Sequence, residues 1–296
     1  MTEAFEPGKS PSDNQTDRTV NKKTRFREKL SVKFAGIALI ASIALSGCAT
    51  AVTNEGLNPS ERTRTDTTLR DGGLDVPILV YHGVDTQPLL SAYGQESTVP
   101  RYQFEEEINY LAENGYHTIT MEQVYNALEK NVPLPEKSVA ITFDDGYSDQ
   151  NDAAAILEKY GLDATFFAIT DFVGVNGHFK YLNWGDLKKM QEAGMDIESH
   201  TTRHPNLTAI NDTKLNEELA GSKEAIKEHL GTDANILCYP GGKYNQKVID
   251  AAKTDGYLAA VTIEKDKVLQ KDRIYSLPRI SIGPKTTLND FKKDVK

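Results

Sequence analysis

Residues 138–149, SVAITFDDGYSD, contain the clearest strand pattern of the chain. The first six residues, SVAITF, are mostly apolar and β-branched, with little alternation between apolar and polar positions. This is typical of a strand in a parallel sheet whose two faces are both covered. Asp144, Asp145 and Gly146 follow directly and are residues that favour a turn. The stretch therefore predicts a buried strand that ends in two adjacent carboxylates.

Working outward, similar short apolar runs alternate with helical stretches along the rest of the chain. We predict strands at residues 76–82, 116–120, 138–145, 163–169, 195–200, 235–240 and 258–263. We predict helices near residues 101–114, 121–130, 149–160, 184–194, 212–230 and 245–255. Seven strands that alternate with helices indicate a single α/β domain. No glycine-rich phosphate loop follows the first strand, which favours a (β/α) TIM-like barrel over an open sheet.

Chemically active side chains gather where the predicted strands end. His82 ends the first strand, Asp144 and Asp145 end the third, and His200 ends the fifth, with His204 four residues later. In a (β/α) barrel, the residues that perform chemistry lie at the C-terminal ends of the strands. We therefore expect these five side chains on one rim of the barrel.

Asp145, His200 and His204 form a chemically sensible set of metal ligands. One carboxylate and two imidazoles leave coordination positions open for water and substrate, as a catalytic zinc site requires. The two histidines do not follow the helical HExxH pattern. Taken singly, each could be a structural histidine, and two Asp before a glycine could form only a turn. Their common position on the expected rim favours a metal site.

Three segments resemble the first three motifs of the polysaccharide deacetylases, the carbohydrate esterase family four with the NodB-like fold. They are ITFDDGYSD (141–149), ESHTTRHPNL (198–207) and CYPGGKYN (238–245). The resemblance spans about residues 76–283. The motif order is closest to that of the deacetylases acting on poly-β-1,6-N-acetylglucosamine. The resemblance implies a distorted (β/α) barrel that hydrolyses acetyl groups on a glycan.

The resemblance also implies roles for individual residues. Asp144 would be the general base that deprotonates the attacking water. Asp145, His200 and His204 would hold a divalent metal, usually zinc, that polarises the acetyl carbonyl and lowers the pKa of the water.

The third motif would bind substrate through Tyr239, Pro240 and Gly241. The backbone N–H of Gly241, where many relatives carry Tyr, would complete an oxyanion hole with the metal. Aromatic side chains that could form the floor of a sugar subsite are Tyr81, Trp184, Tyr239 and Tyr244. Trp184 starts a predicted helix and could equally be a packing residue.

The general acid departs from the common family pattern. Many relatives carry the acid histidine late in the chain, but this chain has no histidine after His229. In the deacetylases of poly-β-1,6-N-acetylglucosamine, an N-terminal YH sequence supplies that histidine. We therefore assign His82, in VYHGVD, as the general acid. A capping or core histidine at a strand end is the alternative.

The arginine of the third motif is also missing, and Leu237 and Cys238 occupy its place. In many family members that arginine orients the base. We expect Arg279, in SLPRISIG, to replace it from the last strand. Cys238 is expected beside the site as a small buried residue rather than a nucleophile. Arg203, between the two ligand histidines, is expected to face solvent or to contact the glycan.

The N-terminal region has the pattern of a targeting signal rather than of a folded domain. Basic residues at 22–33 precede the uncharged run FAGIALIASIAL (34–45), and Ser46, Gly47 and Cys48 follow. This is the order of a signal peptide, and the run is shorter than the about 20 residues of a membrane span. The ending LSGC resembles a bacterial lipobox, which implies lipidation of Cys48. A short uncleaved anchor is the alternative.

The chain is thus divided into three parts. Residues 1–47 are a cytoplasmic extension with a lipoprotein signal peptide. Residues 48–75 are rich in Thr, Asn, Asp, Gly and Arg and indicate a flexible tether. Residues 76–296 are the catalytic domain. Either reading of the N-terminus places this domain at the extracellular face of the cytoplasmic membrane.

The net charge limits the classes of partner, and the cysteine count limits how the fold can be stabilised. A net charge of −9 argues against nucleic acid, because phosphate binding relies on clustered Lys and Arg. An acidic body suits a neutral or cationic glycan better than an anionic wall polymer. Only two cysteines, Cys48 and Cys238, are present, so a disulfide framework is excluded and the core must hold the fold.

Together these observations predict a metal-dependent hydrolase that removes N-acetyl groups from an extracellular polysaccharide. Poly-β-1,6-N-acetylglucosamine is the preferred substrate; peptidoglycan, chitin oligomers and acetylated xylan are alternatives. A catalytically inactive glycan-binding lipoprotein, suggested by the missing motif arginine, and a non-catalytic envelope scaffold are alternatives from other classes. The intact set of carboxylates and histidines argues against both. We expect a monomer held at the membrane by its lipid anchor.

Overall fold

The computed structural model describes residues 73–85 and 97–296. The cytoplasmic extension and signal peptide predicted at residues 1–47, the lipidation of Cys48 and the tether up to residue 72 lie outside the described residues. Within the two described ranges, no helix is long and apolar enough to cross a bilayer.

The described residues form twelve strands and seven α-helices. The strands are β1 (Gly73–Asp75), β2 (Ile78–Tyr81), β3 (Gly83–Asp85), β4 (Thr98–Pro100), β5 (His117–Thr118), β6 (Ser138–Phe143), β7 (Thr165–Ala168), β8 (Asp196–Ser199), β9 (Ile236–Cys238), β10 (Ala259–Val261), β11 (Val268–Gln270) and β12 (Ile280–Ser281). The helices are α1 (Arg101–Glu113), α2 (Met121–Lys130), α3 (Gln150–Tyr160), α4 (Trp184–Glu192), α5 (Asp212–Leu230), α6 (Gln246–Thr254) and α7 (Leu288–Asp294).

A curled parallel sheet forms the centre of the domain. Its strands are hydrogen-bonded in the order β10-β9-β8-β7-β6-β2-β12, and β5 pairs in parallel with the start of β6. Each of the seven predicted strands and six predicted helices is present within its predicted range. The distorted (β/α) barrel expected from the sequence is therefore confirmed.

The sheet's two edge strands approach each other at Arg279. A parallel bridge joins Val261 in β10 to Leu277, in the segment that leads into β12. Two further backbone hydrogen bonds, from Thr262 to Leu277 and from Leu277 to Ala260, each 2.9 Å long, strengthen this closure. The closure brings residues 277–281 beside the interior of the barrel.

Burial and capping explain why the sequence adopts these elements. Every residue of β2, β6 and β7 is buried, as expected for parallel strands whose two faces are both covered. Helix α2 begins with a capping box. The Thr120 side chain accepts a hydrogen bond from the Gln123 backbone N–H, and the Gln123 side chain accepts one from the Thr120 backbone N–H. Helix α5 ends at Gly231 in the left-handed conformation.

The predicted boundary between tether and domain is wrong at its last three residues. Residues Gly73–Asp75 form β1, which pairs in antiparallel register with β11. Leu74 is buried in the core cluster that also contains Ile78 and Leu269. The pairing is with a strand almost 200 residues away, so no local pattern in the sequence announces it. The described domain therefore begins at Gly73 at the latest.

Candidate active site

Two adjacent carboxylates lie at the end of β6. The backbone N–H of Asp144 donates to the Tyr81 carbonyl at 3.0 Å, which keeps β2 and β6 paired to their last residues. Asp145 then adopts a left-handed conformation with φ of 76°, followed by Gly146 with φ of 77°. Asp is one of the few residues that tolerate this conformation. The turn directs Asp144 into the barrel and Asp145 toward the loop after β8.

Asp145 meets the two histidines of the second motif. Its Oδ1 lies 3.3 Å from Nε2 of His200 and 3.6 Å from Nε2 of His204. Burial alone would raise the pKa of Asp145, but the hydrogen bond and charge of His200 outweigh it and lower the pKa. Burial lowers the pKa of His204, which favours the neutral ring that a metal ligand needs.

These three side chains fit a divalent metal. Their ligand atoms all lie within 4.8 Å of one another. His200 donates from Nδ1 to the Cys238 carbonyl oxygen at 2.8 Å, so Nε2 is the ring nitrogen that faces Asp145 and that would bind a metal in its deprotonated form. One carboxylate oxygen and two imidazole nitrogens match the preferences of zinc, with coordination positions left open.

A second cluster of potential ligands shares His200 but fits a cation less well. Asp144, His200 and Cys238 also lie within 4.8 Å of one another. The Arg279 guanidinium lies 3.2 Å from the Cys238 sulfur and already neutralises Asp144. A cation there would be repelled by Arg279, so Asp145, His200 and His204 are the better metal site.

Asp144 is held by a buried arginine. Arg279 donates to Asp144 through two parallel hydrogen bonds, 2.7 Å to Oδ1 and 2.6 Å to Oδ2. It also donates to the Thr142 hydroxyl and to the Thr262 carbonyl. Burial alone would raise the pKa of Asp144, but the charge and hydrogen bonds of Arg279 outweigh it and hold the pKa well below its usual range. Arg279 thus lies where the sequence expectation placed a substitute for the motif arginine.

Cys238 packs beneath this ion pair. Its thiol lies 3.3 Å from Oδ2 of Asp144, and the residue is fully buried. Burial raises the pKa of the Cys238 thiol. A thiol that stays protonated and has no access to solvent matches the expected small buried residue.

His82 follows β2 directly and stands beside Asp144. β2 and β6 are in register at Tyr81 and Phe143, so the next residues of both strands are His82 and Asp144. The charge of His82 is close enough to contribute to the lowered pKa of Asp144 and Asp145. The ring is half-buried, so it remains accessible from the rim.

Gln150 joins the two strand ends and escaped the sequence analysis. Its buried Nε2 donates to the Asp144 carbonyl at 2.6 Å and to the His82 carbonyl at 2.9 Å. The only sequence cue is its position six residues after Asp144, at the start of α3. Its contacts depend on how the strands pair, which local sequence does not reveal.

The third motif forms a tight turn after β9. Gly241 and Gly242 both have left-handed φ values, 59° and 66°. The turn's two hydrogen bonds are donated by Gly242 to Tyr239 and by Lys243 to Pro240. Gly241 is exposed, and a Cβ built on it meets no atom within 4 Å. A side chain at position 241 would meet open space, but the left-handed φ would strain any residue other than glycine there.

The Tyr81 and Tyr239 side chains are buried away from any sugar subsite, and Trp184 is the packing residue that the sequence left as its alternative. Tyr81 is fully buried and donates to Glu107 at 2.9 Å. Tyr239 is 1% exposed and donates to the Tyr275 carbonyl, so only its backbone can face substrate. Trp184 stacks on His229 with ring centroids 4.3 Å apart, which makes it a packing residue between α4 and α5.

Tyr244 is half-buried and stacks on Tyr239, with its hydroxyl 3.0 Å from Glu264. It remains a candidate for contact with a sugar ring.

Other aromatic residues next to the site were not anticipated. Tyr147, directly after the first turn, lies 5.4 Å from Tyr181 between ring centroids, and Phe172 lies 5.1 Å from Tyr181. The Leu182 N–H donates to the Gly146 carbonyl at 2.9 Å, which fastens this loop to the carboxylate turn. The sequence patterns did not single out these rings.

Arg203 is partly exposed to solvent and also holds the loop between the two ligand histidines in place. Its guanidinium is 3.0 Å from the buried Glu218 carboxylate, and its backbone N–H donates to the same carboxylate at 2.7 Å. A second contact reaches Asp171 at 3.3 Å. Arg203 therefore anchors the segment between His200 and His204 to α5.

The barrel and the carboxylate–histidine site at its rim define a hydrolase of the carbohydrate esterase type. Residues 131–260 match the family model described as polysaccharide deacetylase. YxkH of Bacillus subtilis, whose name assigns it to the polysaccharide deacetylases, is 34% identical over 210 residues, covering 71% of this chain and 72% of that protein. The chain belongs to the polysaccharide deacetylase family, whose members are hydrolases acting on carbon–nitrogen bonds.

Two further proteins are similar to this chain. The poly-β-1,6-N-acetyl-D-glucosamine N-deacetylase of Staphylococcus epidermidis is 29% identical over 200 residues, covering 63% of this chain and 68% of that protein. The Streptococcus pyogenes deacetylase PplD, solved in complex with acetate, superposes with a TM-score of 0.70 at 28% identity. That match covers 76% of this chain and 99% of PplD.

Proposed function

We propose that this polysaccharide deacetylase hydrolyses N-acetyl groups of poly-β-1,6-N-acetylglucosamine outside the cytoplasm, with a divalent metal at Asp145, His200 and His204. The observation that carries the proposal is the position of His82 beside Asp144 at the paired ends of β2 and β6. This places a candidate acid and a candidate base on the same rim as the metal ligands. The name of the Staphylococcus epidermidis relative supports the choice of glycan.

The metal would supply the electrophilic part of the chemistry. Held by one carboxylate and two imidazoles, zinc would polarise the acetyl carbonyl and lower the pKa of water. The hydrogen bond from His200 to the Cys238 carbonyl fixes which ring nitrogen is presented.

Asp144 is the proposed base. Its ionised carboxylate would take a proton from water as the oxygen attacks the acetyl carbon. Arg279 keeps the carboxylate ionised and fixes its plane through two hydrogen bonds. The position of Asp144 next to Asp145 in the chain brings this proton acceptor beside the metal ligands.

The tetrahedral oxyanion and the leaving group need two further contributions. The exposed N–H of Gly241 is the proposed hydrogen-bond donor to the oxyanion. His82 is the proposed acid that protonates the sugar nitrogen as the carbon–nitrogen bond breaks, which releases a free amine and acetate.

The location follows from the N-terminal sequence. Lipidation of Cys48 would place the enzyme at the extracellular face of the cytoplasmic membrane, where a secreted glycan is accessible. We also propose that the catalytic unit acts as a monomer.

The alternative of an inactive glycan binder rested on the missing motif arginine. Arg279 makes the bidentate contact with Asp144 that such an arginine would make, which removes the reason to favour that alternative. Peptidoglycan remains the second candidate substrate on chemical grounds, since it carries the same N-acetyl group.

The test is acetate release by the zinc-loaded full chain from poly-β-1,6-N-acetylglucosamine and, separately, from peptidoglycan. We expect release from the first polymer, with none from the Asp144→Asn variant. Release from peptidoglycan alone would keep the mechanism and overturn the proposed substrate. Zinc binding without release from either polymer would overturn the deacetylase activity on both.

A further inference from the structure

Three buried hydroxyl groups lie behind the loop that carries the two histidine ligands. The Ser199 hydroxyl is 2.6 Å from that of Ser222 on α5 and 2.9 Å from that of Tyr257. All three residues are buried, and the Tyr257 side chain belongs to the core cluster formed with Leu215 and Leu219. We call Ser199, Ser222 and Tyr257 the hydroxyl chain.

The hydrogen bonds of the hydroxyl chain can be assigned so that every hydroxyl proton is donated. Each hydroxyl has one proton to donate and can accept others. In one such arrangement Tyr257 donates to Ser199, Ser199 donates to Ser222, and Ser222 donates to the Leu219 carbonyl at 3.1 Å. The Tyr257 hydroxyl also lies 2.9 Å from the Leu219 carbonyl and 3.0 Å from the Ser222 hydroxyl. Every proton is used, and Ser199 still has a lone pair for one more donor.

That donor is the ligand loop itself. The backbone N–H of Thr201 donates to the Ser199 hydroxyl at 3.2 Å. Thr201 has a left-handed φ of 66°, which is uncommon for a β-branched residue and needs support from its surroundings. The Thr201 side chain then accepts from the His204 backbone N–H at 3.0 Å. One sequence of contacts therefore runs from Tyr257 to the Thr201 N–H, next to His200 in the chain, and on to the backbone N–H of His204.

We propose that Tyr257 and Ser199 are positioning residues that set the metal affinity of the site by holding Thr201 in its left-handed conformation. The inference rests on the proposed metal site at Asp145, His200 and His204. Neither residue touches the reacting atoms. Outer hydrogen bonds that orient ligands commonly change metal affinity by about 10–100-fold when removed, and here they act through the backbone between the ligands.

The test is the zinc dissociation constant of the full chain, measured by titrating the metal-stripped protein with zinc alone against a chromophoric chelator. We expect Tyr257→Phe to weaken zinc binding about tenfold, because it removes the hydroxyl and keeps the buried ring. The matched control is Tyr275→Phe. Tyr275 donates to the Tyr257 carbonyl at 2.7 Å, so the control loses one tyrosine hydroxyl in the same region and leaves the hydroxyl chain intact. We expect wild-type zinc affinity for it.

A double-mutant cycle separates this role from a general loss of packing. If Tyr257 acts through Ser199, then Tyr257→Phe has little further effect on zinc affinity in a Ser199→Ala background. Should Ser199→Ala fail to fold, the comparison of Tyr257→Phe with its Tyr275→Phe control carries the test. Thermal unfolding of the metal-free variants checks that each is folded.

Unchanged zinc affinity in Tyr257→Phe would overturn the inference, and so would additive losses in the cycle. A wild-type chain that binds no zinc would overturn the metal assignment in the proposed function, and this inference with it. Because zinc binding needs no substrate, a failure of the proposed glycan leaves the result for Tyr257 readable.

Discussion

Replacing Arg279 by glutamine would leave the Asp144 carboxylate buried without its cation. Arg279 is fully buried and gives Asp144 two hydrogen bonds of 2.7 and 2.6 Å. Removing one partner of a buried ion pair costs about 3–5 kcal/mol, because the other charge stays desolvated. We expect Arg279→Gln to lower the free energy of unfolding by that amount.

The same change should alter catalysis. With Arg279 gone, the largest effect that opposes burial is lost and the pKa of Asp144 rises. The acidic limb of the profile of kcat against pH should therefore move to higher pH. Without the two hydrogen bonds from Arg279, the Asp144 carboxylate can rotate out of position, which should lower kcat by about 10²-fold. Arg279→Lys keeps the charge but cannot form the bidentate pair, so an intermediate loss is expected.

The assays are urea denaturation and acetate release across pH. Arg273→Gln is the matched control, because Arg273 pairs with Glu264 nearer the surface and such pairs contribute less than about 1 kcal/mol. If Arg279→Gln folds and shows unchanged turnover with an unmoved acidic limb, then Arg279 does not orient the base and the reasoning is refuted.

Three more predictions concern Glu107, the glycine turn and His82. Burial is the main cause that raises the pKa of Glu107 from 4.5 to about 7, so its stabilising contribution is complete below pH 4.5 and is lost as pH rises through 7. The unfolding free energy of Glu107→Gln relative to wild type should increase by up to about 3 kcal/mol between pH 4 and 8; a pH-independent difference would contradict this. A Cβ at Gly242 would lie 2.5 Å from Cγ1 of Ile263, whereas one at Gly241 meets nothing within 4 Å. Denaturation should therefore show a cost of about 1–3 kcal/mol for Gly242→Ala and a smaller cost for Gly241→Ala, and equal costs would argue against the turn as described. His82→Gln should lower kcat by about 10²–10⁴-fold with zinc affinity unchanged, and an unaltered kcat would remove His82 as the acid.

The sequence predicted the elements whose pattern is local. The buried runs that became β2, β6 and β7 have enough consecutive apolar residues to be recognised. β12 has only two residues, and α7 buries one side chain, Phe291. Neither element therefore shows a recognisable periodic pattern of apolar residues. β1 and β11 are three residues each and exist because they pair with each other.

The site residues likewise divide into those that local sequence predicts and those that depend on tertiary contacts. The four central site residues belong to two short motifs, with Asp144 and Asp145 in the first and His200 and His204 in the second. Each motif follows a parallel strand, and the ends of parallel strands meet at one rim, so the proximity of these residues could be predicted. Tyr81 and Tyr239 were misassigned because successive residues of a strand point to opposite faces and the sequence does not say which face is the site. Gln150 and Tyr257 act through contacts formed only after the barrel closes.

The measurement that tests the account most directly compares zinc binding with acetate release in wild type, Asp144→Asn and Asp145→Asn. Asp144 is placed as the base and Asp145 as a metal ligand, so the neighbouring residues should fail differently. The account predicts that Asp144→Asn binds zinc with about wild-type affinity but releases no acetate, and that Asp145→Asn loses both properties. Turnover by Asp144→Asn, or unchanged zinc affinity in Asp145→Asn, would contradict it.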